Sequence, residues 1–161
     1  GGWPPAALSE VLLAAPGHGE LALVWPTLAR LSQQQQTIVL IAPPYLPHAP
    51  GWAGAGLALN QVQVVRAAPR DALWAAEQCL RSAACAAVLC WPQQADDRAL
   101  RRLQVAAETG QCLGFAFRDL RQARNASPAP LRLQLEHGQV RVLKCRGGMA
   151  PAQPLPLALA H

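Results

Sequence analysis

The sequence has little charge for its length. Only 14% of its 161 residues are charged, against roughly 25% in a typical domain, whereas 52% are apolar. A disordered chain has the opposite composition, with low hydrophobicity and high net charge, and is therefore excluded. The length corresponds to one domain with a substantial hydrophobic core.

Long apolar runs are also missing. One of the longest, from Ala83 to Trp91, is far shorter than the ~18–20 residues that a membrane-spanning helix needs. The first residues, Gly1 to Pro5, lack the basic segment and apolar stretch of a secretory signal. We therefore expect a cytoplasmic protein without a membrane anchor.

Metal-binding patterns are absent as well. No Cys-x-x-Cys pair occurs, and most of the cysteines lie among apolar residues, where free cysteine packs as a small hydrophobe: Cys79, Cys85, Cys90, Cys112 and Cys145. The four histidines have no ligand spacing either: His18, His48, His137 and His161. We expect a reducing compartment, no metal and no cofactor.

The basic charge lies in the second half of the chain. Residues 1–97 carry four Arg and six acidic residues, a net charge of −2. Residues 98–146 carry ten cations and three acids, a net charge of +7, which gives the overall +5 because the remaining tail has no charged side chain. An anionic partner is expected to meet the part of the chain after residue 97.

Short apolar runs alternate with helical patterns, which predicts a parallel sheet covered on both faces. The predicted strands are Val11–Ala15, Thr37–Ala42, Gln61–Val65, Cys85–Trp91 and Cys112–Phe117. Helices are predicted at Glu20–Ser32, with a kink or boundary at Pro26, from a cap at Asp71 to about Ser82, and from a cap at Asp96 or Asp97 to about Thr109. Of the five tryptophans, Trp3, Trp25, Trp74 and Trp91 are expected in the core.

The pattern changes after residue 130. Leu131 to Glu136 alternates strictly between apolar and polar residues, His137-Gly138 marks a turn, and the alternation resumes at Val140. This pattern predicts an antiparallel hairpin that extends the α/β sheet. We expect a core domain over residues 1–148 and an apolar, Pro-rich tail over residues 149–161.

The first strand runs into the position of a phosphate-binding loop, but the loop is degenerate. Aligned on Gly19, with Gly17 inside the turn, the consensus G-x-x-x-x-G-K-[ST] places Ala14 at the first Gly, Glu20 at the Lys and Leu21 at the Ser/Thr. A carboxylate repels phosphate, and leucine cannot ligate Mg²⁺. We therefore expect no saturable ATP binding.

The order of these elements resembles the RecA ATPase core, and several stretches resemble the ImuA family of translesion-synthesis-associated RecA/SulA-like proteins. These stretches are Gly17 to Leu21, Ala42 to Pro50, Asp71 to Ser82, Ala99 to Gln104, Ser127 to Leu133 and Val142 to Gly148. The resemblance implies a RecA-like fold over almost the whole chain.

Carried over by this resemblance, the other RecA functional positions are also lost. The catalytic Glu corresponds to Pro43, the metal-binding Asp to Trp91 (or to Cys90 with a slip of one residue), and the phosphate-sensing Gln to Arg118. A base, a metal ligand, a sensor and the phosphate-binding lysine are all replaced, so the resemblance implies a pseudo-ATPase rather than an enzyme.

The basic second half contains two arginine groups that are candidates for DNA or partner contact. One lies on the predicted helix after Asp97 and the other in a predicted loop: Arg98, Arg101 and Arg102, and Arg118, Arg121 and Arg124. Three roles are open for these arginines: weak DNA binding, binding of an acidic protein partner, or no binding role beyond forming a solvated basic face. Trp52, in a Pro/Gly/Ala-rich stretch, is a candidate partner anchor.

The resemblance implies an accessory factor of SOS-induced mutagenic translesion DNA synthesis, which is part of DNA repair after DNA damage. It would dock to ImuB, to the error-prone replicative-type polymerase subunit and to RecA. Because SulA shares the RecA-like ancestry, the alternative is a cell-division inhibitor that binds the tubulin-like protein FtsZ. A residual ATPase activity is disfavoured, because the phosphate-binding, metal-binding and catalytic residues are all replaced. A homo-oligomer is expected to need the N-terminal element through which RecA protomers join.

Overall fold

The chain alternates strands and helices and then ends in strands. The computed structural model describes residues 2–17, 19–45, 49–54, 56–92, 94–147 and 155–156. The strands are β1 (Leu8–Leu13), β2 (Ile38–Ile41), β3 (Val62–Val65), β4 (Ala87–Cys90), β5 (Leu113–Asp119), β6 (Leu131–Glu136), β7 (Gln139–Cys145) and β8 (Leu155–Pro156). The helices are α1 (Glu20–Gln33), α2 (Ala49–Gly54), α3 (Pro69–Arg81) and α4 (Asp97–Gly110), and short 3₁₀ turns cover Leu59–Gln61 and Leu120–Arg124.

The described strands form one mixed sheet in the order β3-β2-β4-β5-β1-β6-β7-β8. The first six in this order run parallel, and β7 and β8 are antiparallel to their neighbours. The predicted α/β fold, a mostly parallel sheet with a C-terminal antiparallel hairpin, is confirmed. Since the parallel strands end at one edge, the segments that follow β1, β2, β4 and β5 meet there.

Two hydrophobic layers cover the sheet. On one face, α1 packs Val24, Trp25 and Leu28 against the core, together with Leu57 from the segment after α2. On the other face, α3 and α4 pack their apolar stripes: Ala76, Leu80, Leu100, Leu103 and Ala107. Helices on both faces explain why the central strands are apolar on both sides. They also place α2 and α3 on opposite faces of the molecule.

The predicted helix starts are correct at one site and wrong at another. Asp96 caps α4, since its carboxylate accepts a hydrogen bond from the Ala99 N–H at 2.8 Å. Asp71 does not cap α3, which begins at Pro69 with Ala68 as its N-cap. Proline at the first helical position has a suitable fixed φ and no N–H to satisfy, so the helix starts three residues earlier than a cap at Asp71 predicts. Helix α1 continues through Pro26 instead of ending there.

The C-terminal hairpin turns at His137-Gly138, where both residues have positive φ, 54° and 72°. Such a turn matches the twist of the two strands that it joins. Leu155–Pro156 then pairs with Gln139 and Val140. The rest of the predicted tail lies outside the described residues.

The helices of the described part are all too short or too polar to span a membrane. The five cysteines are free. Cys90, one of the two positions aligned with a metal-binding aspartate, is fully buried and donates its S–H to the Phe115 carbonyl at 3.6 Å. Burial raises the pKa of the Cys90 thiol to about 12, so it remains a neutral thiol.

Candidate functional site

The segment between β1 and α1 keeps the shape of a tight strand-to-helix turn. Gly17 and Gly19 adopt φ values of 89° and 105°, a region that side-chain-bearing residues rarely enter. Helix α1 then begins at Glu20. This is the place where a phosphate-binding loop directs its N–H groups at an anion.

The carboxylate of Glu20 takes the place of such an anion. It is 1% exposed and accepts hydrogen bonds from the Gly17 N–H at 2.9 and 3.0 Å. The indole N–H of Trp91 donates to the same carboxylate at 3.1 Å. The Gly17 N–H is therefore satisfied within the chain, and a phosphate placed here would meet a negative charge.

Aromatic side chains pack beside the Glu20 turn. Trp91, 8% exposed, packs against Phe117 and Tyr45 with ring centroids 5.2 and 5.7 Å apart. The cavity directly beside the turn, lined in part by Leu13, is about 20 Å³, which is room for about one water. Burial, and secondarily the Glu20 charge, raises the pKa of Tyr45, so its buried hydroxyl stays a neutral phenol.

Replacing Glu20 by Ala is expected to lower the free energy of unfolding by about 1–3 kcal/mol, because the buried Trp91 indole N–H and the part-buried Gly17 N–H lose their acceptor. Glu20→Gln, which keeps an acceptor oxygen, is expected to lose less. Urea unfolding followed by tryptophan fluorescence measures both. Equal stability of the wild type and Glu20→Ala would contradict the account of this turn.

Arg118 does not lie in a loop, so that prediction is wrong. It is in β5, 4% exposed, and donates to the Glu10 carboxylate at 2.7 Å and to the Ala95 carbonyl at 2.5 Å. Arg132 of β6 donates to the other Glu10 oxygen and to the Gln122 carbonyl at 3.0 Å. Buried and engaged, Arg118 is not accessible to a DNA phosphate.

The other arginines of the predicted patch are exposed but differ in their partners. Arg121 donates to both carboxylate oxygens of Asp119, at 3.0 and 3.2 Å, and these hydrogen bonds hold the pKa of Asp119 below its usual value. Arg101 pairs with Asp97 at 2.9 Å. Arg124 lies at the end of the 3₁₀ turn after β5, exposed to solvent. None of these three lies buried in a site.

Arg98 and Arg102 line a cleft together with residues of α3, none of which was predicted as a site residue. Trp74, expected in the core, is 63% exposed in this cleft, and that expectation is wrong. The core-facing stripe of α3 is Leu73, Ala76 and Leu80, and Trp74 lies one position after Leu73. Helical periodicity therefore contains the signal that places Trp74 toward solvent.

Trp52 is partly exposed on α2, and its ring lies edge-on to Trp25 with centroids 5.5 Å apart. The following segment is fixed to the end of α1 by side-chain hydrogen bonds. Ser32 Oγ accepts from the Ala58 N–H at 3.0 Å, and Gln33 Nε2 donates to the Gly56 carbonyl at 2.7 Å. The connection around Trp52 is thus held in a defined conformation.

This part of the molecule carries no Asp, Glu, Lys or Arg. Residues 31–65 contain none of these types, and they form the end of α1, β2, α2 and the edge strand β3. Leu59, on the 3₁₀ turn before β3, is 39% exposed. We name the exposed part of this region, with Trp52 and Leu59, the uncharged surface. Depletion of charge with exposed aromatic and aliphatic groups is typical of the centre of a protein interface.

Comparisons with known proteins identify relatives of the chain. The family model described as "Cell division inhibitor SulA" matches residues 7–114. The crystal structure of SulA from Pseudomonas aeruginosa is similar to this fold, with a TM-score of 0.58, 30% sequence identity, and coverage of 71% of this chain and 98% of that chain. No curated protein sequence matches significantly. The family match includes the Glu20 turn, Trp52 and both α3 and α4, but not Arg118, Arg121 or Arg124.

These findings correct the expectation of a translesion-synthesis factor. The matching family is SulA, and nothing in the comparisons supports ImuA specifically. The expected role in mutagenic DNA synthesis is therefore wrong, as are the expected partners ImuB, the error-prone polymerase subunit and RecA.

Proposed function

Since this chain belongs to the SulA family of cell division inhibitors, we propose that it inhibits bacterial cell division by binding FtsZ in the cytoplasm. The family match over residues 7–114 is the observation that carries this proposal. The proposed inhibition results from binding FtsZ alone, and the chain catalyses no reaction. The Glu20 turn supports this, because its buried carboxylate accepts the Gly17 and Trp91 N–H groups at the position where a phosphate would have to bind.

The uncharged surface is the docking site that we propose for FtsZ. Its centre, Trp52, is a large apolar group on a connection that the ends of α1 already fix, so little conformational entropy is lost on binding. The neighbouring edge strand β3 adds unpaired backbone groups at the same side of the sheet. Desolvation of this region is inexpensive because it has no charged side chain.

Expression of the wild-type chain in dividing bacteria is expected to produce long, undivided cells. Trp52→Ala and Leu59→Glu are expected to restore division, because the first removes the anchor and the second places a charge in the apolar contact. Microscopy of cell length, with immunoblots for equal protein levels, gives the result.

Trp74→Ala is the matched control. It removes a more exposed tryptophan from the opposite face of the sheet, so this variant is expected to keep producing long cells. Normal division in cells that contain the soluble wild-type protein would contradict the proposed function. Long cells with all four proteins would retain the function but contradict the assignment of the uncharged surface.

A further inference from the structure

Two adjoining clefts run from the carboxyl edge of the sheet to the start of α4. The larger, about 880 Å³, lies where β2, β3 and β4 end, and Pro43, Arg66 and Trp91 are in its wall. The smaller, about 350 Å³, lies between α3 and α4. Arg70 and Leu73 line both clefts, so the two adjoin. We name them together the arginine groove.

The arginine groove carries positive charge that the described part of the chain does not neutralise. Within that part, no ion pair or side-chain hydrogen bond involves Arg66, Arg70 or Arg98. The larger cleft has no acidic residue among its described lining. In the smaller cleft, the Glu77 carboxylate already binds Arg81 at 2.7 Å and Arg102 at 3.1 Å.

The remaining acidic group of the smaller cleft is also engaged. Asp96 accepts the Ala99 N–H as the cap of α4. Its carboxylate and that of Glu77 therefore have partners, whereas no described residue pairs with Arg66, Arg70 or Arg98. The electrostatic complement of the groove is a ligand with carboxylates or other anionic groups.

An exposed aromatic side chain, Trp74, lies among the arginines of the groove. Trp74 is 63% exposed on α3 between Arg70 and the arginines at the start of α4. Tryptophan and arginine are the residue types most often found at binding hot spots, where an aromatic ring is buried by the partner and guanidinium groups bind its carboxylates. The neighbouring Leu73 contributes an apolar side chain to the lining of the groove.

We infer that the arginine groove binds an acidic protein segment that places a large apolar side chain against Trp74. Carboxylates of the segment would lie beside Arg66, Arg70 and Arg98. A nucleic acid fits less well, because Asp71, Asp96 and Asp97 interrupt the basic surface and would repel a continuous row of phosphates.

This site does not depend on the proposed FtsZ contact. Trp52 of the uncharged surface packs on the face of α1, whereas the residues to be changed in the arginine groove belong to α3 and the start of α4. The larger cleft also contacts the segment after β2, at Pro43 and Pro44, and none of the variants changes that segment. A variant of one surface leaves the other intact, so failure of one proposal can be distinguished from failure of the other.

A selection of random 12-residue peptides on the immobilised protein tests the inference. The recovered peptides are expected to be enriched in Asp and Glu and to contain at least one Leu, Phe or Trp. Their affinity, measured by fluorescence anisotropy, is expected to fall at least tenfold in Trp74→Ala and in the double variant Arg70→Glu/Arg98→Glu. All three side chains are exposed, so folding, checked by circular dichroism, is expected to be unchanged.

The matched controls are Trp52→Ala and Arg30→Glu, which change the same residue types on the other face and are expected to bind the peptides as the wild type does. Recovered peptides without acidic enrichment, or affinities that the groove variants leave unchanged, would overturn the inference. So would a labelled DNA oligonucleotide that binds with the same dependence on Arg70, Arg98 and Trp74 when acidic peptides do not bind.

Discussion

Replacing Glu10 by Ala is expected to lower the free energy of unfolding by about 3–5 kcal/mol, because it leaves two buried arginines without their counter-charge. The Glu10 carboxylate is fully buried on the central strand β1 and joins Arg118 of β5 to Arg132 of β6. A domain of this size has about 5–15 kcal/mol of stability. The variant is therefore expected to unfold at a much lower urea concentration or to be insoluble.

Two further variants test whether the loss of stability is due to the unpaired buried arginines and not merely to the removal of a glutamate. Glu136→Ala removes a carboxylate that is 39% exposed and pairs with no arginine or lysine in the described part of the chain, and it is expected to change stability by less than about 0.5 kcal/mol. The triple variant Glu10→Leu/Arg118→Met/Arg132→Leu removes all three charges together. It is expected to be more stable than Glu10→Ala, since no unpaired charge remains buried. Equal unfolding midpoints for Glu10→Ala and the wild type would contradict this account.

Gly110→Ala is expected to lower the free energy of unfolding by about 3 kcal/mol through overpacking. Gly110 ends α4 against the end of α3, and a Cβ there would lie 1.7 Å from the Leu80 carbonyl oxygen. The obstructing atom belongs to the backbone, so a change of side-chain rotamer cannot relieve the clash. The two helices would have to separate.

Gly54→Ala is the matched control for this prediction. It lies in α2, and a Cβ at this position meets no atom within 4 Å. Alanine is favoured over glycine in a helix, so the variant is expected to be as stable as the wild type or slightly more stable. Thermal unfolding compares the three proteins. A Gly110→Ala melting temperature equal to that of Gly54→Ala would show that α3 and α4 do not approach this closely.

The parallel sheet could be predicted because its central strands are short apolar runs separated by helical patterns. The bounds of β1 could not. The predicted strand Val11–Ala15 starts three residues after the observed Leu8, since Ser9 and Glu10 are polar. Glu10 is buried because of two arginines that lie 108 and 122 residues later in the chain. A local pattern contains no information about partners that distant.

In the candidate site, too, the local sequence reveals the residue types but not the contacts between distant residues. The loss of the phosphate-binding lysine and hydroxyl is visible in Glu20 and Leu21, but the contact between Glu20 and Trp91 spans 71 residues. The stretches that suggested the ImuA family contain no catalytic or metal-binding group, so they do not distinguish an ImuA-like from a SulA-like protein. Trp52, singled out from its local composition, remains a proposed anchor.

Sedimentation of FtsZ polymers in the presence of the purified protein tests whether the chain binds FtsZ and blocks its assembly. The wild-type chain is expected to reduce the FtsZ that pellets with GTP, in proportion to its concentration and completely near equimolar amounts. Trp52→Ala is expected to need at least a tenfold higher concentration, and Trp74→Ala is expected to act like the wild type. An unchanged FtsZ pellet at a several-fold excess of folded wild-type protein would contradict the account.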